Sequence, residues 1–224
     1  MTTLTCTPVA RTTKSLLGYG IIAGPLYVLV SLAQALTRPG FDLSKHAWSL
    51  LENGHLGWIQ IANFALTGAM TIAAAVGLRR AAKSRTSESR AVESRAVIKG
   101  AWLIGAYGAG LLGAAVFRAD AAAGFPVGTP EATTVSWHGV LHFMIGGVGF
   151  LGLIAACFVL AGHYARRGER GLAWFSRITG IVFLAGFAGI ASGSHGPTTL
   201  AFVAAVLTVC AWLTTISIHA YKTV

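Results

Sequence analysis

The chain has 224 residues, 54% of them hydrophobic and 11% charged, with a formal net charge of +10. Soluble domains carry charge on about a quarter of their residues, so this composition excludes an ordinary soluble enzyme and points to a membrane-embedded chain. The positive balance does not indicate a nucleic-acid partner, because the basic residues fall in connectors between apolar runs, the pattern of membrane topology.

Six apolar runs reach the roughly 20 residues that a hydrocarbon core demands of a helix. They predict spans at 16–37, 55–78, 99–118, 138–163, 174–192 and 198–219, an all-α bundle forming one transmembrane domain over 1–224. The first span follows Arg11 and Lys14. Ala33-Gln34-Ala35 resembles a signal-peptidase site, but the apolar stretch before it exceeds the 7–15 residues of a signal core, so the span is read as retained. Pro25 lies inside it, which membrane helices tolerate with a kink.

After that span, Phe41 to Leu51 reads as a short interfacial helix, with Phe41, Trp48 and the leucines among the lipid headgroups. Asp42 and His46 are four apart there, and Ser49 shares the side of His46. Glu52 and His55 read as solvated cap residues. The second span carries Gln60, Asn63 and Thr67 on one face. That face turns inward, toward partners on other helices or toward a wet cavity.

Residues 79–98 form a Ser/Arg-rich linker containing a direct repeat, Glu88-Ser89-Arg90-Ala91-Val92 and Glu93-Ser94-Arg95-Ala96-Val97. The third span offers Gly105, Ala109 and Gly113 as a small-residue stripe, and the fourth offers Gly146, Gly147, Gly149 and Gly152. Such stripes pack against neighbouring helices in lipid. Between these spans, Phe117 to Pro130 is rich in turn residues and reads as a lid or rim. Cys6, Cys157 and Cys210 make no disulfide framework.

Lys and Arg number fourteen on one side of the predicted spans and three on the other. Basic loops are retained in the cytoplasm, which predicts a multi-pass cell-membrane protein with both termini inside. On that topology His46, His55, His138, His142 and His195 cluster toward the outer face, with Asp42, Glu52, Asp120 and Glu131. His163 and His219 fall at the cytoplasmic ends and snorkel to the interface.

His138 and His142 project from one side of a helix, and with His46 or His195 they form a candidate zinc site. A metal-bound water there is a hydrolytic nucleophile. Asp42 or Asp120 would orient a ligand or act as base, with Ser49 a further catalytic candidate. Three readings follow. One is a metal-dependent hydrolase acting on a lipid-like substrate. The second is a prenyl-chain cyclase, with Asp42 or Asp120 as acid and Trp48, Trp58, Trp137 or Phe143 shielding cations. The third is a haem-binding or non-catalytic membrane component.

The stretch Arg38-Pro39-Gly40-Phe41-Asp42 with His46, followed by Gly57-Trp58-Ile59-Gln60-Ile61-Ala62-Asn63-Phe64, resembles the bacterial domain of unknown function 998 family. So do Phe117 to Pro130, and Ser136-Trp137-His138-Gly139 with Leu141-His142-Phe143. The resemblance runs from the first span to the last and implies a six-helix membrane protein without implying an activity. A looser similarity links Ser49, Asp42 or Asp120, His46, His138 and His142 to the Ser, Asp and three His of membrane hydrolases of the alkaline ceramidase and adiponectin-receptor-like superfamily. Those enzymes have seven spans, their His pair lies in the last, and their Ser and His occur in the opposite order to His46 and Ser49.

Overall fold

Each apolar run becomes one helix in a computed structural model that describes residues 8–83, 91–131, 134–193 and 196–224. The helices are α1 (Pro8–Thr37), α2 (Gly57–Lys83), α3 (Ala91–Val116), α4 (Trp137–Arg166), α5 (Arg170–Ala191) and α6 (Gly196–Lys222). All six are long and apolar enough to cross a bilayer, and the protein is a multi-pass membrane protein. Among the described residues there is no strand, only an isolated bridge between Ala122 and Phe125.

Each helix packs on the next, and α6 returns to α1, so the bundle is a closed ring. Lipid offers no hydrophobic drive for this association, so close approach and polar contacts supply it. At Gly24 a methyl group would meet the Cys210 carbonyl at 2.8 Å, which brings the backbones of α1 and α6 together. Pro25 removes an N–H from the α1 ladder. The freed carbonyl of Ile21 instead accepts from the Thr214 hydroxyl of α6 at 3.2 Å.

Gln60 and Asn63 on the polar face of α2 bond to another helix, whereas the buried Thr67 hydroxyl has no hydrogen-bond partner. Gln60 Oε1 accepts from Gln34 Nε2 at 2.8 Å, and Asn63 Nδ2 donates to the Tyr27 carbonyl at 3.2 Å and to Ser31 Oγ at 3.1 Å. These bonds tie α1 to α2 within the bundle.

Two expectations need correction. Ala109 is exposed, so the third span does not pack through Gly105, Ala109 and Gly113 as one stripe. It packs on both flanks: Gly108 lies against Gly68 of α2, and Gly110 approaches Gly149 of α4. The predicted 79–98 linker is also shorter, because α2 runs to Lys83 and α3 begins at Ala91. The repeat copy Glu93 to Val97 is helical, and buried Ser94 donates to the Ala82 carbonyl at 3.2 Å.

One end of the ring carries both described chain ends, the end of α2, the start of α3 and the α4–α5 connection. The other end is roofed by the connections 38–56 and 117–131, called the cap. Residues 41–51 are not one interfacial helix. They form a turn followed by a 3-10 helix, Trp48–Glu52, whose Trp48 is buried rather than set among headgroups. Buried Arg38 fastens the cap, donating to the Leu51 carbonyl at 2.5 Å and to that of Asn53, with its guanidinium 4.8 Å over the Phe125 ring. Asn53 Nδ2 donates to the Ala119 carbonyl at 3.1 Å, which joins the two connections. Phe117 to Pro130 packs on the first connection, folded through a left-handed Ala123 (φ 54°) and Gly124 and a cis Phe125–Pro126 bond.

Candidate functional site

The expectation that Glu52 is solvated is overturned. It ends the 3-10 helix with a relative exposure of 1%, enclosed where the two connections meet. Its Oε2 accepts from the backbone N–H of Ala119 at 3.1 Å and lies 3.4 Å from His142 Nδ1. Its Oε1 is buried without a hydrogen-bond partner. Burial pushes the carboxyl up to about 8, against the opposing pull of the Ala119 N–H and the Arg118 charge. Near neutral pH Glu52 therefore keeps its proton, and Oε1, on which no donor converges, is the oxygen suited to carry it.

His142 projects from the second turn of α4 toward this carboxyl. Its Nδ1 is 2.7 Å from the Phe117 carbonyl. A carbonyl only accepts, so Nδ1 carries the proton and Nε2 keeps its lone pair. The Phe64 ring is 6.3 Å away, edge-on.

The ring of His142 also lines a cavity of about 130 Å³ in the capped half of the bundle. Every helix contributes to its wall. The rings are Tyr27, Trp48, Phe64, Tyr107, Phe143, Phe150, Phe187 and Phe202, and Ser49 lies at the cap. Aromatic contacts hold several of these walls in place: Tyr27 is 5.7 Å from both Trp48 and Phe64, and Phe150 is 5.2 Å from Phe187. Trp48 Nε1 is buried without a partner. Phe143 lines the cavity and is 51% exposed, so it belongs to both the pocket and the outer surface. At Gly146 a methyl group would meet nothing within 4 Å.

The other sequence candidates lie around this centre in different settings. His46 is buried between Phe41 and Phe125, with centroids at 5.2 and 5.5 Å. Its Nδ1 accepts from the Asp42 backbone N–H at 2.8 Å, so Nε2 carries the proton, and Nε2 lies 2.8 Å from the Ala123 carbonyl. Both nitrogens are thus engaged in holding the cap. Asp42 is exposed and accepts from the Ser44 N–H and hydroxyl, which hold its carboxyl below its ordinary range.

Asp120 accepts from the N–H and hydroxyl of Ser136, the N-cap of α4, and lies against Gly139. Its arrangement aligns the first turn of the helix that carries His142. His138 is exposed, its ring tilted against Trp137 with centroids 3.6 Å apart, while His142 turns into the bundle. His195 lies outside the described residues. Among the described residues no three His, Cys, Asp or Glu side chains converge as a metal site.

The signal for Glu52 was available but faint: an acid directly after Leu50-Leu51, three residues from Ser49. Its polar followers Asn53, Gly54 and His55 made it resemble a solvated cap.

Comparison with known proteins matches a family described as "Protein of unknown function (DUF998)" over residues 21–219. No curated protein and no solved structure matches the chain.

Proposed function

We propose, for a chain that belongs to the DUF998 family, that it is a membrane hydrolase acting on a lipid-like molecule whose apolar chain enters the aromatic cavity. One contact carries this reading: buried Glu52 set against His142, at the polar edge of a cavity otherwise walled by rings and aliphatic side chains. With Nδ1 committed to the Phe117 carbonyl, Nε2 of His142 is free to take a proton from a nucleophile and return it to a leaving group. Above about pH 8, where Glu52 loses its proton, the carboxylate behind the ring would stabilise the imidazolium formed in between.

The cavity, at about 130 Å³, is smaller than the several hundred Å³ of sites that enclose a drug-sized ligand. It fits the reacting end of a substrate and the first few carbons of a chain. The remainder would pass Phe143 into the bilayer. The charge distribution of the connectors supports a cap facing away from the cytoplasm, so substrate would come from the outer leaflet.

The test is turnover of fluorogenic esters of increasing acyl length by detergent-purified protein. His142→Gln should lower kcat/KM by roughly 10²–10⁴-fold. Gly146→Leu fills the cavity and should exclude long acyl chains while the protein remains monodisperse. Absence of turnover in the natural sequence, or turnover indifferent to His142→Gln, would defeat the reading.

A second reading rests on the rings themselves, whose faces can stabilise carbocations. It places a prenyl chain in the same cavity, with Glu52 as the proton source in place of Asp42 or Asp120. Conversion of a polyprenyl substrate to a cyclic isomer of equal mass would favour it over hydrolysis.

A further inference from the structure

Resting on the hydrolase reading, we infer that Ser49 is the nucleophile, that the substrate is a carboxylic ester, and that the Trp48 indole N–H faces the developing oxyanion. Ser49 and Glu52 occupy one 3-10 helix at positions i and i+3. Residues at that spacing eclipse one another, about 6 Å apart along the axis. Glu52 touches His142 at Nδ1, and Ser49 and His142 line the same cavity. Both side chains leave the short helix in the same direction. The same short helix therefore carries a carboxyl beside His142 Nδ1 and a hydroxyl residue that lines the cavity the ring also lines.

Trp48 supplies the independent observation. It is 4% exposed, lines the cavity next to Ser49, and its Nε1 has no acceptor. A buried donor without a partner is costly, and an anionic oxygen at the attacked carbon would relieve it. Oxyanion donors have this form: an N–H fixed in place by packing and unsatisfied until the reaction proceeds.

In the first step a bond forms between Ser49 Oγ and the ester carbonyl carbon, and the hydroxyl proton passes to His142 Nε2. The carbonyl π pair moves onto oxygen, opposite the Trp48 N–H. The pair then returns, the bond to the alcohol oxygen breaks, and the alcohol leaves with the proton from Nε2, which gives an acyl-Ser49 ester. Water repeats the sequence: it loses a proton to Nε2, adds to the acyl carbon, and releases Ser49 Oγ, which recovers the proton. The sum is ester plus water giving acid plus alcohol.

The experiment uses the full chain in detergent and a long-chain alkyl fluorophosphonate, which loses fluoride to an activated serine. Peptide mass spectrometry should find one adduct, on Ser49, and none in Ser49→Ala. His142→Gln should slow labelling by roughly 10²–10⁴-fold. Trp48→Phe keeps the ring against Tyr27 but removes the N–H, and should slow it by about 10²-fold. Monodispersity and melting temperature separate these losses from misfolding. An adduct elsewhere, no adduct on the natural sequence, or labelling of Ser49 unaffected by His142→Gln would overturn the inference. If Ser49→Ala keeps ester turnover while His142→Gln loses it, the hydrolase reading stands with water as nucleophile, and the role of Ser49 falls.

Discussion

Glu52 is placed by two connections far apart in sequence, and its proton equilibrium follows from that placement. Its carboxyl titrates near 8 in the folded protein against an ordinary 4.5. Between those values the native state holds a proton that an unfolded, solvated carboxylate has released. The contribution of Glu52 to native stability therefore falls as pH rises from about 4.5 to about 8, by at most ~1.4 kcal/mol per pH unit. Glu52→Gln keeps the shape and loses the titration. In detergent it should melt with the natural sequence at pH 4 and above it at pH 9. Identical pH dependence of the two proteins would show that Glu52 is not held protonated. Catalysis carries the opposite sign, since only the carboxylate stabilises a His142 imidazolium: ester turnover should climb as pH passes through about 8, and the climb should vanish in Glu52→Gln.

At the scale of the helices, close approach and open space predict opposite outcomes for one chemical change. A methyl group at Gly68 would lie 2.7 Å from the Gly108 backbone carbonyl, and a neighbouring helix cannot retreat without separating α2 from α3. Gly68→Leu should cost more than the ~1–3 kcal/mol typical of overpacking. Gly146→Leu enters open space and removes a glycine from a helix interior, so its melting temperature should hold or rise, by up to ~1 kcal/mol in stability. Equal losses in both variants would contradict the packing described. The sequence predicted that small residues carry contacts but misassigned the register on α3, because one helix wedged between two neighbours needs two small faces. A single stripe through Gly105, Ala109 and Gly113 describes a helix with one partner. Glu52 was illegible for a related reason: its burial is made by Ala119, Asn53 and Arg38 through a folded cap that no periodicity encodes. The second span's Gln60 and Asn63, by contrast, share a helical face that the spacing alone reveals.

For the whole molecule, six apolar runs become six helices because hydrocarbon forces backbone groups to pair within each span. Which way the ring stands in the membrane is the remaining step, and it decides where substrate meets the cap. At the end away from the cap, Arg79 lies 4.8 Å over Trp102, Arg177 lies 5.1 Å over Trp174, and Lys14 lies 5.4 Å over Tyr221. Trp102 and Trp174 are exposed on the bundle surface, where aromatic rings sit at a membrane boundary with cations beside them. That end also carries most of the chain's positive charge. The expected orientation keeps it in the cytoplasm. Cys157 and Cys210 are buried, so a Cys6→Ser background with one added thiol reports sidedness. Val127→Cys, on the exposed rim of the cap, should react with a membrane-impermeant maleimide on intact cells. Lys222→Cys should react only after the membrane is opened. The reverse pattern would turn the cap inward, and the His142–Glu52 pair would then have to draw its substrate from the cytoplasmic leaflet.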